Sequence, residues 1–446
     1  MKTLNCFTKT HFLITLIIGL FISTNGFYAQ NSISFNSNKG KSTIKISNDR
    51  TDFKVEYEGE ITIADDDSDI TNVSRGGYIE IKKSSFGKRR RLVIENDGGK
   101  LIRKFFVGWS EKDYYPDGKE WLKDVLPEIL RSTTIGAESR VERFYKKDGV
   151  NGVLGEIRKM DSDYVQSAYF KLLLKKNLSN KELVGVLNAA GRTISSDHYL
   201  SSILKKNQEI FLKDTETVNA YISAAKSINS DHYVTQIVKS VIENRNVSDT
   251  QMATLLKITE GINSDHYVTS VLKTVMDKRD LNTQNMEQIM MLSKSINSDH
   301  YKTSVLKKAL KSKNLSKQAY DTFLSSLSDV NSDHYITEIL KDMMSINFDD
   351  ATLKRVVGLV ESNIGSDHYA SSVYKRMAKR KLNDDQIVYI LNSIDNVGSD
   401  NYMADVLVAF APKVKNGSNK VKDAYMKAAK SINSETYLGR AMKAIY

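Results

Sequence analysis

The chain is poor in the residues that carry covalent and metal chemistry. Its 446 residues include one cysteine (Cys6), three prolines and two tryptophans. A single cysteine excludes an internal disulfide framework and a multi-thiolate metal site. Three prolines exclude a collagen-like or Pro-rich chain. Long apolar runs are scarce as well: after the first 30 residues, charges interrupt every apolar stretch, so no later segment reads as a membrane span. Neither extreme of composition is present. Hydrophobic residues make up 40% and charged residues 27%, the balance of a chain that folds. What is there is an excess of base, a formal charge of +11, and seven histidines.

Residues 1–30 read as a secretory signal peptide. Lys2 and Lys9 supply a positive start, Phe12 to Ile22 is the apolar run, and Phe27-Tyr28-Ala29-Gln30 offers a cleavage site. The run is about half of the roughly 20 residues that a spanning helix needs. An uncleaved anchor is the alternative. Cys6 precedes the run, whereas a lipid-attachment cysteine follows it. Cleavage would remove Cys6, His11 and two lysines but no acids, leaving a charge of +9. The expected location is therefore outside the cytoplasm: periplasm, cell surface or medium.

Residues 31–110 predict a small antiparallel β-rich domain of six or seven short strands. Phe53, Val55 and Tyr57 alternate with Lys54, Glu56 and Glu58, the period of a half-buried strand. Similar alternation marks 60–63, 78–81 and 91–95, with glycine-containing turns between. Two charge clusters stand out. Asp65-Asp66-Asp67-Ser68-Asp69 offers carboxylates to calcium but lacks the closing glutamate of an EF-hand loop, and reads more simply as a solvated turn. Lys88-Arg89-Arg90-Arg91 would suit a phosphate or sulfate, or would keep a hairpin soluble.

Residues 111–160 predict linker helices. Trp121, Val125 and Ile129 share one helical face, Pro127 should kink or divide that helix, and Asp148 is a natural N-cap for a later one.

From 161 to 446 the chain repeats itself. Four residues recur every 34: Ser196-Asp197-His198-Tyr199, Ser230-Asp231-His232-Tyr233, Ser264-Asp265-His266-Tyr267, Ser298-Asp299-His300-Tyr301, Ser332-Asp333-His334-Tyr335 and Ser366-Asp367-His368-Tyr369. Degenerate copies at Ser162, Ser399 and Ser434 make nine. Each unit reads as two helices. The first starts at the tetrad and carries Tyr267, Val271, Leu272 and Val275 on one face; the second starts near Asn282 or Ser316, both natural N-caps. Neither helix buries its apolar face alone, so the units must stack. The expected fold is mainly α, a right-handed αα-repeat solenoid behind a small β-rich domain. The position before each tetrad is Asn229, Asn263, Asn297, Asn331, Gly365, Gly398 or Asn433 in the later copies. Asn and Gly tolerate a left-handed backbone, which predicts a left-handed helix end there, with the serine capping the next helix and the aspartate facing its dipole.

The period equals that of tetratricopeptide repeats, but the Trp-Leu-Gly-Tyr pattern and the closing proline are missing. The export signal, the β-rich head, the Ile135–Val141 segment and the Ser-Asp-x-Tyr repeats together resemble poorly characterised bacterial envelope and secreted proteins. They are also similar to the extracytoplasmic parts of membrane-metallopeptidase sensor proteins. The peptidase motif His-Glu-x-x-His is absent, so that resemblance implies no protease activity.

Adjacent residues on a helix do not face one another, which argues against a Ser-Asp-His hydrolytic triad and against an enzyme. Packed helices stand about 8–10 Å apart, too far for neighbouring histidines alone to share a zinc ion. The tetrads therefore read first as structural, with the tyrosine packing between repeats and the histidine bonding a neighbouring turn. They also form a candidate recognition surface. A lysine follows each tetrad serine by nine residues: Lys205, Lys239, Lys273, Lys307, Lys341 and Lys375. This stripe is a solvated face or a site for an anionic envelope polymer. The expected function is a non-enzymatic exported scaffold or binding protein with a protein partner and no cofactor. A regulatory component of an envelope stress or signalling system, and a metal- or polyanion-sequestering protein, are the alternatives. Nucleic acid does not fit an exported chain without interleaved aromatics.

Overall fold

The computed structural model describes residues 32–38, 41–48, 51–85, 87–244, 247–278, 280–312 and 316–446. The expected export signal and Cys6 lie outside them. The chain forms two compact units that divide at Gly136–Ala137.

The first unit contains nine strands among the described residues: β1 (Ser32–Asn38), β2 (Lys41–Asn48), β3 (Thr51–Glu58), β4 (Ile61–Ile63), β5 (Ile70–Val73), β6 (Tyr78–Ser85), β7 (Lys88–Asp97), β8 (Lys100–Val107) and β9 (Ser110–Lys112). Seven make one antiparallel sheet in the order β1-β2-β3-β6-β7-β8-β9, while β4 and β5 pair as a separate hairpin. The unit thus has the expected antiparallel type, with nine strands rather than the six or seven read from alternation, because the short β9 and the β5 segment carry too few apolar residues to signal themselves. Period-2 alternation sends Ile44, Phe53, Val55, Ile79, Ile81, Leu92, Ile94 and Phe105 into one core. Helix α1 (Lys119–Ser132) completes that core with Trp121, Leu122, Val125 and Ile129. Each such side chain contributes roughly 1.5–3 kcal/mol by burial. Pro127 lies inside α1 without dividing it. Proline removes one amide donor, and the buried residues on both sides of it keep the two halves in one element.

The second unit begins with α2 (Ala137–Ile157), which breaks at Asp148 and Gly149, where φ is −147° and 53°. The break falls at the expected N-cap. The stretch 111–160 is therefore shared: α1 belongs to the core of the first unit and α2 to that of the second.

Paired helices follow. The first helices of the repeats are Asp163–Leu173, Asp197–Lys206, Asp231–Asn244, Asp265–Lys278, Asp299–Ala309, Asp333–Met343, Asp367–Met377, Asp400–Lys415 and Glu435–Ile445. The second helices are Asn180–Thr193, Thr215–Ala225, Asp249–Thr259, Thr283–Lys294, Lys317–Leu327, Asp350–Asn363, Asp384–Ser393 and Asn419–Ala429. First helices stack on first helices and second on second. One continuous core runs from Ala137 to Ala441, and Val271, Leu272, Val275, Met286, Ile289 and Met290 all lie in it. This is the helical-repeat solenoid that the 34-residue period predicts. Among the described residues no helix is long and apolar enough to cross a membrane.

Candidate functional site

The tetrads line one side of the stacked first helices. Each serine occupies the N-cap position with an extended backbone, at φ −77° and ψ 115° for Ser196. Its side chain does not cap, however: Ser196, Ser298, Ser332, Ser366, Ser399 and Ser434 make no side-chain cap hydrogen bond. The residue before it is not left-handed either. Among the described residues Asp67 is the one non-glycine with positive φ, and Gly365 and Gly398 are not among the positive-φ glycines. The expected left-handed helix end is thus corrected. The preceding helix has already closed by short backbone bonds, such as Ile228 N–H to the Ala225 carbonyl at 3.2 Å, so no left-handed residue is required.

The aspartate explains the turn. The backbone N–H groups of Asn229 and Ser230 donate to the Asp197 carboxylate of the preceding repeat at 3.1 and 2.7 Å. Asp231 accepts from Asn263 and Ser264 at 3.1 and 2.9 Å, Asp265 from Asn297 and Ser298 at 3.1 and 2.7 Å, and Asp299 from Asn331 and Ser332 at 3.1 and 2.8 Å. Asp333 and Asp367 continue the ladder, and Asp163 and Asp400 extend it through the degenerate copies. The aspartate is thus an inter-repeat clamp, holding orphan amides at the start of the next first helix with charge-assisted bonds. Sequence reasoning assigned it to its own helix dipole. One signal was available: aspartate persists in all eight copies that have a successor, including those without histidine, and yields to Glu435 in the ninth.

Histidine and tyrosine form a second ladder. The Tyr233 hydroxyl lies 3.2 Å from His198 Nδ1, Tyr267 stands in the same relation to His232 at 3.2 Å, and Tyr335 to His300 at 3.3 Å. The rings also meet edge to face, at centroid distances of 5.7 Å for His266–Tyr301 and 6.0 Å for His334–Tyr369. The tyrosines are half-buried and the histidines exposed. Histidine therefore contacts the next tyrosine rather than a turn. With aspartate bonded to backbone and histidine to tyrosine, the aspartate does not orient the histidine as a hydrolytic triad demands. Among the described residues no three of His, Cys, Asp or Glu gather as a metal site.

The lysine stripe reaches across the same junctions. Lys205 donates to Gln236 at 2.6 Å, Lys239 to Ser270 at 3.1 Å, Lys273 to Ser304 at 3.1 Å and Lys307 to Glu338 at 3.1 Å; Lys375 stands 3.5 Å from Asp405. Lys341 lines a groove of about 410 Å³ with Glu338, Asp342, Lys375 and Lys379. Beneath the stripe, the hydroxyls of Thr235, Thr269, Thr303 and Thr337 are buried without a hydrogen-bond partner. Thr269 belongs to a groove of about 320 Å³ between two first helices, lined also by His266, Ser270, Lys273, His300 and Tyr301.

The two charge clusters of the first unit fall in different settings. Asp65–Asp69 makes the turn between β4 and β5, where Asp66 accepts from Ser68 N–H at 3.0 Å and Asp69 from Ile70 N–H at 2.7 Å. Lys88–Arg91 opens β7.

No family model and no curated protein matches this chain. Among solved structures, it is similar to one described as "Computational Design of Self-Assembling Cyclic Protein Homooligomers", at 7% identity, covering 69% of this chain and 96% of that one, with a TM-score of 0.10. A likeness that slight carries no argument.

Proposed function

We propose that this chain is a non-enzymatic, exported scaffold or binding protein of a bacterial envelope or periplasm, and that the first-helix face is where it meets a macromolecular partner. One observation carries the reading: a polar groove between two successive first helices has exposed histidines at its rim and the unpaired Thr269 hydroxyl in its wall, and Thr235, Thr303 and Thr337 repeat that hydroxyl at the 34-residue period. An unpaired buried hydroxyl costs free energy unless something is gained from it, and four in register mark one elongated surface rather than a local flaw. Long repeated surfaces of this kind serve extended partners.

The test is site-specific photocrosslinking in the native host. A photoreactive residue at His232 or His300 should capture the same partner from two different repeats. The same probe at Lys257, exposed on a second helix, should not. Failure of both first-helix positions to capture any macromolecule above background would remove the proposal.

A further inference from the structure

The outward face of the seven-stranded sheet carries a feature that sheet stability does not explain. Register places Lys45 opposite Lys54, Lys54 opposite Lys82, Lys82 opposite Arg91, and Arg91 opposite Phe106. Four cations thus lie side by side across four strands, a row of about 14 Å at roughly 4.8 Å per strand. Like charges directly opposite one another destabilise a sheet. Glu56 and Glu80 in the neighbouring row offset part of this: Lys54 stands 3.0 Å from Glu56, and Lys82 and Arg91 stand 2.6 and 3.3 Å from Glu80. The row still borders a groove of about 700 Å³ whose lining includes Lys45, Lys54, Lys82, Lys83, Arg89 and Arg91 against a single acid, Asp52. Lys83 is committed to Glu128 at 2.6 Å.

Aromatic groups complete the groove. The Arg91 guanidinium lies 3.9 Å from the centre of the Phe106 ring. Arg89 lies 5.6 Å from that of Trp109. Trp109 sits at the tip of the β8–β9 hairpin beside Gly108, whose φ of 61° makes the tight turn. It is 93% exposed, and Val107 next to it is 43% exposed. Folding gains almost nothing from a tryptophan placed in water. An apolar tip beside a row of cations matches the boundary layer of a lipid bilayer, where tryptophan settles at headgroup depth and basic residues meet anionic lipids.

We infer that this face docks on an anionic phospholipid surface, with lipid phosphates over the Lys45–Arg91 row and Trp109 in the interfacial layer. The site is on the first unit and is independent of the first-helix face.

The test uses the full chain with vesicles of phosphatidylcholine alone and of an equal mixture with phosphatidylglycerol. Cosedimentation should occur with the mixture and weaken as salt is raised. Tryptophan emission should shift to the blue on binding, and the shift reports Trp109 because Trp121 is already buried. The chain also carries the apolar run from Phe12 to Ile22, so binding is scored as the difference between parent and variants. K45A/R89A should lose about thirtyfold in affinity, at roughly fivefold per basic side chain, and W109A should lose the spectral shift. Equal binding to both vesicle types would overturn the inference, as would variants that bind like the parent. A blue shift with inorganic phosphate or a soluble sulfated polysaccharide, without vesicle binding, would overturn it too.

Discussion

Each repeat contains two helix starts, and they are satisfied in opposite ways. The second helix is capped from within in every repeat but the last, where Ser418 makes no side-chain cap and its N–H donates to Asp384 of the preceding repeat at 3.2 Å. Ser248 accepts from Gln251 N–H at 3.3 Å while Gln251 returns a bond to Ser248 N–H at 3.1 Å, and Ser179–Glu182 and Asn383–Gln386 form the same reciprocal box. Asn282 and Ser316 cap alone, at 2.8 and 3.0 Å. The first helix is held from outside, by an aspartate some 32 or 33 residues earlier. The locally satisfied start varies from copy to copy, because serine, asparagine and aspartate all serve. The start satisfied across repeats is the near-invariant tetrad, because its aspartate must fit the backbone of the next unit. What repeats most strictly in this chain is the coupling between units, not the units themselves.

The sharpest break in that comparison should come where a bond between elements is also buried. The Arg140 guanidinium joins Glu156 at 2.8 Å across the break in α2 and donates to the Tyr169 hydroxyl in the next helix. Arg140 and Glu156 side chains are 1% and 3% exposed. Glu156→Ala leaves a buried guanidinium short of its counter-charge and should cost about 3–5 kcal/mol. Repeat arrays can unfold in parts, so the loss is best read by amide hydrogen exchange, as lost protection in α2 and Asp163–Leu173. Protection unchanged from the parent would show that the pair does not hold these elements.

Asp265→Ala should come next, at about 1.5–3 kcal/mol for its charge-assisted bonds. Asn282→Ala should cost about 1 kcal/mol. Location separates them more cleanly than size. The aspartate variant should speed exchange of the Asn297 and Ser298 amides in the following repeat, and the asparagine variant that of Asn285 in its own helix. Asp265→Asn should retain much of the stability, since both amides donate to the one oxygen, Oδ2, and an amide oxygen still accepts. Exchange that stays local in the aspartate variant would collapse the distinction between the two starts.

The tetrad's role shows where a single sequence is legible. Period, helix pairing and the core positions Val271, Leu272, Val275, Met286 and Ile289 follow from spacing alone, because helical periodicity and burial are both local to a window of the chain. So do the caps Asn282 and Ser316, whose partners lie three residues away. The Asp197 clamp did not follow, because its partners are 32 and 33 residues distant and only stacking brings them together. The same is true of Arg140, a charged residue in a polar-looking helix that turns out to be almost wholly buried. The turn before each tetrad departs from the expected left-handed form for a related reason. Asn and Gly at the position before each serine leave the backbone N–H close to the carboxylate behind it, and the Cβ of an alanine at Gly365 would lie 3.9 Å from Asp333 Oδ2. That distance is ordinary contact, so neither φ nor space requires the glycine there.

The smallest effect tests whether junctions between first helices are interchangeable. Lys239 and Lys273 cross their junctions to Ser270 and Ser304, neither of which titrates in the ordinary pH range. Lys307 instead reaches Glu338 at 3.1 Å and Asp342 at 3.3 Å. The hydrogen bond from Lys307 holds the Glu338 carboxyl below the usual carboxylate range, against the opposing pull of burial. A lowered folded-state value means that the stabilisation is present above the unfolded carboxylate pKa of about 4.3 and is lost as pH falls through the folded value. The Glu338 side chain is 41% exposed, so solvent screening limits the effect to about 0.5 kcal/mol or less. Acidification from neutral pH should therefore weaken protection in Asp299–Ala309 and Asp333–Met343 slightly more than in the neighbouring first helix Asp265–Lys278. Glu338→Gln should remove that excess while leaving the Lys273–Ser304 junction as it was. An equal acid response at both junctions, in parent and variant alike, would mean that the Lys307–Glu338 pair adds no junction-specific coupling to the shared core and the aspartate clamp.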